Sequence, residues 1–213
     1  MNNIDHTYYI NLDKREDRNL HTLETVIPFF GLKKSEFTRL SAVDTSLAPS
    51  LSQRSVGCAQ SHVNIYSDAQ KKGYNYILVI EDDLIPTIKQ ETFFCNLDYL
   101  FNNFPDFNIC QLAYNDVVAG KRIGPATSPI LFSPNVQTTS AYIIKTSFTE
   151  TITPVILSSI EKLKDNQLSQ LHAIDQCWKA FQTEENKWFL MDRIGIQAND
   201  YSDIECRPVS YNC

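Results

Sequence analysis

The sequence predicts an α/β fold with a mostly parallel central sheet flanked by helices, and two observations support this prediction. Runs rich in β-forming residues alternate along the chain with segments whose apolar residues recur at helical spacing. Residues 76–80 are five consecutive apolar or aromatic side chains, as expected for a strand buried on both faces of a sheet covered by helices. A chain of 213 residues with 43% hydrophobic content can bury one sizeable core, so we expect a single domain over residues 1–213.

The charge of the chain limits its partners. Its net charge is −6, and no stripe of lysine and arginine with interleaved aromatic residues is present, so we expect no nucleic-acid partner. A small anionic ligand, such as a nucleotide diphosphate, remains compatible with this charge if a metal ion or a few arginines neutralise it.

The N-terminal sequence and the cysteines indicate a compartment. Residues 1–9 are polar and lack the pattern of a secretory signal, and no apolar run approaches the roughly 18 residues of a membrane span. We therefore expect a cytoplasmic protein without a transmembrane segment. The six cysteines include no C-x-x-C pair, which argues against a compact zinc site and favours free thiols in a reducing compartment.

The first part of the chain predicts strand–helix units. Residues 7–12 form a β-rich run that is followed by helical spacing of apolar residues. A second strand is predicted at residues 37–43, and the polar stretch 44–54 is typical of a loop. We expect a helix to open at Ser55 and to end at Gly73, which suits the left-handed C′ position.

The remaining elements continue the alternation. The strand at residues 76–80 is followed by a predicted helix at 92–101 and a strand at 108–113. Residues 138–144 predict a further strand, and the helix after it is expected to be interrupted by Pro154. A last helix is predicted from Ala173 onward.

An acidic triplet, Glu81-Asp82-Asp83, follows the buried strand. Ligands of open α/β sheets bind beyond the carboxyl ends of the strands, which is where this triplet falls. If the extended backbone continues through it, Glu81 and Asp83 point to one side and Asp82 to the other. Two carboxylates on one side suit a hard divalent cation such as Mg²⁺ or Mn²⁺. A solvated acidic turn is the alternative explanation.

Several motifs in order resemble glycosyltransferase family 25, the lipooligosaccharide and collagen galactosyltransferase family. The similarity runs over about residues 7–204. Thr45 departs from it, standing where the family often has glycine, and the chain is shorter than many bacterial members. The motifs that carry the resemblance are Tyr9-Ile10-Asn11-Leu12 with Arg15 and Arg18, Ala42-Val43-Asp44, Gly57-Cys58-Ala59-Gln60-Ser61-His62, Glu81-Asp82-Asp83, Ser140-Ala141-Tyr142-Ile143-Ile144, Ile174-Asp175, and Gln197 with Ser202-Asp203-Ile204.

The resemblance implies a GT-A nucleotide-sugar transferase fold and sugar transfer with inversion at the anomeric carbon. The donor would be UDP-galactose and the acceptor a hydroxyl of a glycan or glycosylated protein, as in lipopolysaccharide biosynthesis. Mn²⁺ or Mg²⁺ would be held by Glu81 and Asp83. The residues expected to bind the nucleotide sugar are Asn11, Leu12, Arg15, Arg18, Asp44, Gly57, Ser61, His62 and Asp82.

Asp175 is the candidate general base, because an inverting displacement needs a group that takes the proton of the acceptor hydroxyl. Three of the candidates also have a purely structural explanation. Asp175 suits a helix start, Ser61 a helix cap and His62 a buried core position. For the diphosphate, the candidates are Arg15, Arg18 and the first amides after Ser55.

Two other kinds of protein fit the same residues. A Mg²⁺-dependent phosphohydrolase or nucleotidyltransferase would also place carboxylates at a strand end beside a diphosphate. A non-catalytic module that binds a nucleotide sugar or glycan would keep the fold without turnover. Neither a P-loop nor a G-x-G-x-x-G motif is present, which removes two common classes of nucleotide-binding enzyme.

Overall fold

The computed structural model describes residues 3–116 and 120–210. The strands are β1 (His6–Asn11), β2 (Phe37–Ser41), β3 (Tyr76–Glu81), β4 (Leu84–Pro86), β5 (Ile109–Asp116), β6 (Lys121–Arg122), β7 (Ile130–Phe132), β8 (Val136–Lys145), β9 (Trp188–Met191), β10 (Gly195–Gln197), β11 (Tyr201–Ser202) and β12 (Arg207–Pro208). The helices are α1 (Glu16–His21), α2 (Ile27–Phe29), α3 (Leu51–Lys72), α4 (Gln90–Asn103), α5 (Thr146–Lys164), α6 (Ser169–His172) and α7 (Ile174–Cys177). A π-helical turn (Thr22–Val26) joins α1 to α2, and a 3₁₀ turn (Trp178–Phe181) follows α7.

Eight strands form the central sheet, in the order β2-β1-β3-β8-β5-β9-β7-β6. Strand β1 lies parallel to β2 and β3, and β5 lies parallel to β9. Strand β8 is antiparallel to both of its neighbours, β3 and β5. The predicted α/β fold class is therefore confirmed, in the form of a mixed sheet whose parallel strands β2, β1 and β3 bring their carboxyl ends to one edge.

Helices cover both faces of this sheet. Strand β3 sits between the two layers, because Leu78 and Ile80 pack with the helical segment of residues 16–29 and with α4. The alternate residues Ile77 and Val79 pack with α3 and α5. All four side chains are completely buried, so the continuous apolar run reflects burial on both faces, as predicted from the sequence.

Two boundaries differ from the sequence prediction. Helix α3 begins at Leu51, one turn before Ser55, because the Ser50 side chain caps it by accepting a hydrogen bond from the Gln53 amide at 3.2 Å. The expected interruption at Pro154 is also wrong. Helix α5 continues through this residue, whose ring is exposed, because the buried stripe Ile152, Ile156 and Ile160 holds the helix against the sheet.

No helix within residues 3–116 and 120–210 combines the length and the apolar character needed to cross a membrane.

Candidate active site

A cleft opens at the carboxyl ends of β1, β2 and β3, with about 850 Å³ of space counting its open mouth. Its walls come from the loop after β1, the loop between β2 and α3, one side of α3 and the turn after β3. Eleven of the twelve residues predicted to form the site line this cleft, and Asp175 is the exception. The eleven are Asn11, Leu12, Arg15, Arg18, Asp44, Gly57, Ser61, His62, Glu81, Asp82 and Asp83.

The acidic triplet forms the floor of the cleft in a conformation that differs from the expected one. Extension does not continue through it, because β3 ends at Glu81 and Asp82 and Asp83 form a tight turn into β4. The simple alternation of side chains therefore does not apply. Asp82 accepts a hydrogen bond from the Asn11 amide nitrogen at 2.7 Å, and Asp83 accepts one from Arg18 at 3.3 Å. The turn lets all three carboxylates reach the same cleft.

Glu81 is held by one of its two carboxylate oxygens. Oε1 lies 3.2 Å from His62 Nε2, accepts a short hydrogen bond from the Thr139 hydroxyl and lies 4.0 Å from Cys58 Sγ. Burial opposes ionisation, but the hydrogen bond and charge interaction with His62, together with the bond from Thr139, lower the pKa of Glu81. The group is therefore a carboxylate at neutral pH, and the hydrogen bonds and ion pair found for it among the described residues all involve Oε1.

Asp83 is held in the same one-sided manner. Its Oδ2 accepts hydrogen bonds from Arg18 at 3.3 Å and from Gln197 at 3.5 Å. Its Oδ1 is buried and has no hydrogen-bond partner among the described residues. Burial, followed by repulsion from Glu81 and Asp82, raises the pKa of Asp83 to about 7. An uncompensated carboxylate oxygen of this kind fits a bound cation.

A buried chain of hydrogen bonds supports Glu81 from behind. His62 is completely buried, and its Nδ1 lies 2.7 Å from the Tyr142 hydroxyl, which lies 2.7 Å from the Tyr66 hydroxyl. Both ring nitrogens of His62 therefore have partners, Tyr142 on one side and Glu81 on the other. This arrangement fixes the orientation of the imidazole and, through it, the position of the Glu81 carboxylate.

Arg15 and Arg18 enter the cleft but are already paired with carboxylates. The segment after β10, residues 198–208 including the β11–β12 hairpin, is called here the C-terminal segment. Its Asp200 contacts Arg15 at 2.6 Å and Arg18 at 3.3 Å, and its Asp203 contacts Arg15 at 3.0 Å. Arg18 also bridges Asp82 at 3.2 Å. An entering diphosphate would compete with these carboxylates for the two guanidinium groups.

The loop between β2 and α3 is anchored to the helix by two of the predicted residues. The Ser61 hydroxyl accepts a hydrogen bond from the Val43 amide at 2.9 Å and donates one to the Gly57 carbonyl at 2.7 Å. The Gly57 amide donates to the Thr45 hydroxyl at 3.1 Å. A Cβ atom on Gly57 would lie only 2.2 Å from the Val43 carbonyl oxygen, so glycine permits the close approach that places Asp44 at the cleft.

The expectation that the first amides after Ser55 are free to bind a diphosphate is wrong. Helix α3 starts at Leu51, so the amides that follow Ser55 lie inside the helix and are used by its hydrogen bonds. The capping hydroxyl of Ser50 already occupies the Gln53 amide. Arg54, which the sequence pattern places in a polar loop, instead lines the cleft from the first turn of the helix.

Asp175 lies behind the cleft wall rather than in it. Its Oδ2 accepts hydrogen bonds from the Thr138 amide at 3.3 Å and from the Gln176 side chain at 3.0 Å. Thr138 has a φ of 73°, a strained conformation for a β-branched residue, and the next residue, Thr139, donates to Glu81. Burial raises the pKa of Asp175, and the charge of Glu81 adds to this effect, which indicates that the two carboxylates influence each other.

Three further residues of the site follow from the structure. Thr139 fixes Glu81, Gln197 contacts Asp83, and Arg54 donates to the Ile204 carbonyl at 2.5 Å and so ties the C-terminal segment to α3. Gln197 and Ser202-Asp203-Ile204 belong to the motifs noted in the sequence, and all four residues line the cleft. Thr139 and Arg54 carried no sequence signal, because their contacts are with residues distant along the chain.

The architecture is an α/β fold of the GT-A type, with a cleft that holds carboxylates and arginines at the carboxyl ends of its parallel strands. Residues 44–115 match the model of glycosyltransferase family 25, described as an LPS biosynthesis protein. The resemblance predicted from the sequence is thereby confirmed over 72 of the 213 residues, a stretch that includes Gly57, His62 and the acidic triplet.

Solved structures support the fold. A glycosyltransferase involved in the glycosylation of the major capsid of PBCV-1 is similar over 94% of this chain and 95% of its own, with a TM-score of 0.56 and 11% identity. At this identity the likeness shows the fold alone. A mannose-1-phosphate geranyltransferase from Thermus thermophilus aligns with 90% of this chain and 74% of its own, at a TM-score of 0.45 and 11% identity, which is too distant to bear on the fold. No curated protein matches the sequence.

Proposed function

We propose that this protein is an inverting glycosyltransferase that moves galactose from UDP-galactose to a hydroxyl of a glycan or glycoprotein acceptor and depends on Mn²⁺ or Mg²⁺. One observation carries the proposal: Glu81 and Asp83 are each held by the protein through a single carboxylate oxygen. The other oxygen of each is left without a partner among the described residues, in a cleft where Arg15 and Arg18 also lie.

The side chains at the end of β3 fit the expected divalent ion. Glu81 Oε2 and Asp83 Oδ1 would hold it, since oxygen ligands from one or two carboxylates plus phosphate oxygens are the usual set for Mg²⁺ and Mn²⁺. When bound, such an ion offsets the charge that develops on a departing nucleoside diphosphate. Asn11 and Arg18 hold the neighbouring Asp82 at 2.7 and 3.2 Å, so the protein itself organises the turn that presents these oxygens.

Other residues of the cleft would bind the nucleotide sugar. Arg15 and Arg18 would exchange their contacts with Asp200 for the diphosphate, forming charge-assisted hydrogen bonds. Asp44 is half-exposed and accepts a hydrogen bond from the Ser46 amide at 2.9 Å, which leaves its second oxygen, now 3.2 Å from Lys14, for a ribose or sugar hydroxyl.

Asp175 would act as general base by taking the proton of the acceptor hydroxyl as the new glycosidic bond forms. Its raised pKa suits this role, because a base works best when its pKa approaches the working pH. For Asp175 to reach the acceptor hydroxyl, the acceptor would have to enter the site beside β8. There Thr138 and Thr139 lie between Asp175 and Glu81.

A donor screen tests the proposal. The protein is incubated with Mn²⁺ and a series of nucleotide sugars, and release of nucleoside diphosphate is measured, with Asp83→Asn as the inactive variant. We expect turnover with UDP-galactose above the other donors and none in the variant. Release of pyrophosphate from a nucleoside triphosphate and sugar phosphate would indicate a nucleotidyltransferase instead. UDP binding without turnover of any donor would indicate that the protein is a non-catalytic binding module.

A further inference from the structure

Cys58, His62 and Glu81 converge on one point at the floor of the cleft. Cys58 and His62 are four residues apart on α3 and so lie on the same face of the helix, opposite the end of β3. The Cys58 sulfur, a His62 ring nitrogen and a Glu81 oxygen all lie within 4.8 Å of one another. All three residues line the cleft, so an ion could reach this point from solvent.

The distances suit a small tetrahedral ion. Bonds of about 2.0 Å to nitrogen and oxygen and about 2.3 Å to sulfur, at tetrahedral angles, place neighbouring ligand atoms about 3.3–3.6 Å apart. The observed separations are 3.2 Å from His62 Nε2 to Glu81 Oε1 and 4.0 Å from Cys58 Sγ to Glu81 Oε1. The His62–Glu81 separation already matches these values, and Cys58 Sγ would have to move about 0.5 Å closer to Glu81 to complete three sides of such a site.

The hydrogen bond of His62 Nδ1 suits a histidine that binds a metal through Nε2. His62 Nδ1 lies 2.7 Å from the Tyr142 hydroxyl, whose oxygen can accept a hydrogen bond from Nδ1–H while the hydroxyl donates one to the Tyr66 oxygen at 2.7 Å. When an ion is bound, it would replace the hydrogen bond between Nε2 and Glu81, the proton would stay on Nδ1, and Nε2 would present its lone pair to the ion. A hydrogen bond of this kind to the distal nitrogen is typical of metal-ligating histidines.

We propose that Cys58, His62 and Glu81 form a three-ligand site for a borderline divalent transition metal such as Zn²⁺ or Co²⁺, with its fourth position open to the cleft. A thiolate and an imidazole select such ions over Mg²⁺ and Mn²⁺, so this site differs in chemistry from the oxygen site of Glu81 and Asp83. It goes beyond the proposed function, because it adds a sulfur ligand from Cys58 and a nitrogen ligand from His62 and selects a different class of ion. The absence of a C-x-x-C pair does not contradict it, since the third ligand comes from a different strand.

Cobalt titration of the metal-free, full-length protein under a non-chelating reductant tests the site. We expect a near-ultraviolet thiolate-to-cobalt charge-transfer band together with the intense visible bands of tetrahedral Co²⁺. Stoichiometric Zn²⁺ should remove these bands, and Mg²⁺ should leave them unchanged. Cys58→Ser should abolish the charge-transfer band and weaken Co²⁺ binding at least tenfold.

Two further variants keep the result specific. Cys177→Ser, which changes another half-buried thiol, should retain the band, and Asp83→Asn should also retain it while losing Mn²⁺ binding. Circular dichroism would verify that each variant is folded. A wild-type protein without the charge-transfer band, or a band that survives Cys58→Ser, would overturn the proposal. A Cys58-dependent band in a protein that turns over no nucleotide sugar would support this site and remove only the sugar-transfer function.

Discussion

Replacing Gly57 by alanine probes how closely α3 approaches the loop that carries Asp44. The added Cβ would lie 2.2 Å from the Val43 carbonyl oxygen and 2.4 Å from the Thr45 hydroxyl. Ordinary contact begins near 3.4 Å, so the carbonyl would have to retreat by about 1.2 Å. Overpacking of this kind costs about 1–3 kcal/mol, and a clash with backbone belongs at the upper end. Alanine is about 1 kcal/mol more favourable than glycine inside a helix, so the net loss in the free energy of unfolding is about 2 kcal/mol.

This loss predicts a melting temperature about 4–8 °C lower for a chain of this size. The displaced loop should also disrupt the proposed contact of Asp44 with the nucleotide, and its loss would weaken UDP binding by about 0.5–1.5 kcal/mol, or severalfold. Differential scanning calorimetry and isothermal titration with UDP and Mn²⁺ measure the two effects. Gly73→Ala is the matched control, since Gly73 has a φ of 70° and nothing lies within 4 Å of an added Cβ. It should lose stability without any change in UDP affinity. A Gly57→Ala protein that melts and binds UDP like the wild type would refute the packing argument.

Three other changes separate the roles of the acidic residues. Because the pKa of Asp83 is raised to about 7, the folded metal-free protein binds the carboxyl proton of Asp83 more tightly than the unfolded chain does, and the free energy of unfolding falls as pH rises from about 4 to 7. Asp83→Asn should flatten that part of a pH–stability curve, and an unchanged slope would contradict the raised pKa of Asp83. Asp175→Asn should lower kcat about 100-fold or more while UDP affinity stays constant, since Asp175 lies outside the cleft wall; a selective loss of UDP affinity would argue against a role as base. Asp203→Asn removes the carboxylate that pairs with Arg15 at 3.0 Å and with Lys14 at 3.2 Å. Because Arg15 is then free to bind the diphosphate, UDP affinity should rise by up to about fivefold, the range of a partly exposed ion pair; weaker binding would mean that Asp203 contacts the nucleotide.

The sequence predicted those parts of the site that depend on local pattern. Helix α3 and strand β3 followed from periodicity and a continuous apolar run, and the acidic triplet was recognised because it directly follows β3. The start of α3 was missed because Ser50 and the polar residues after it resemble a loop, although a capping serine explains them. Pro154 was overinterpreted, since burial of the opposite face of α5 outweighs one missing backbone hydrogen bond.

Contacts between distant parts of the chain could not be predicted in this way. Arg15 and Asp203 are 188 residues apart, and Cys58 meets Glu81 only because α3 packs beside β3. The antiparallel course of β8, which brings Thr139 to Glu81, leaves no periodic signal. Local propensity constrains neighbours along the chain, whereas the composition of the cleft depends on how the strands are ordered in the sheet.

The ionic make-up of the cleft has a consequence for the sequence of binding events. Among the residues that line it are five carboxylates, from Asp44, Glu81, Asp82, Asp83 and Asp203, against the three guanidinium groups of Arg15, Arg18 and Arg54. A bare pyrophosphate group would meet net repulsion there. Productive encounter is therefore expected to be ordered, with the divalent ion arriving before the nucleotide or as its companion. Initial-rate patterns with metal and donor concentrations varied together should then show the intersecting lines of an ordered mechanism, and excess chelator should abolish both donor binding and turnover.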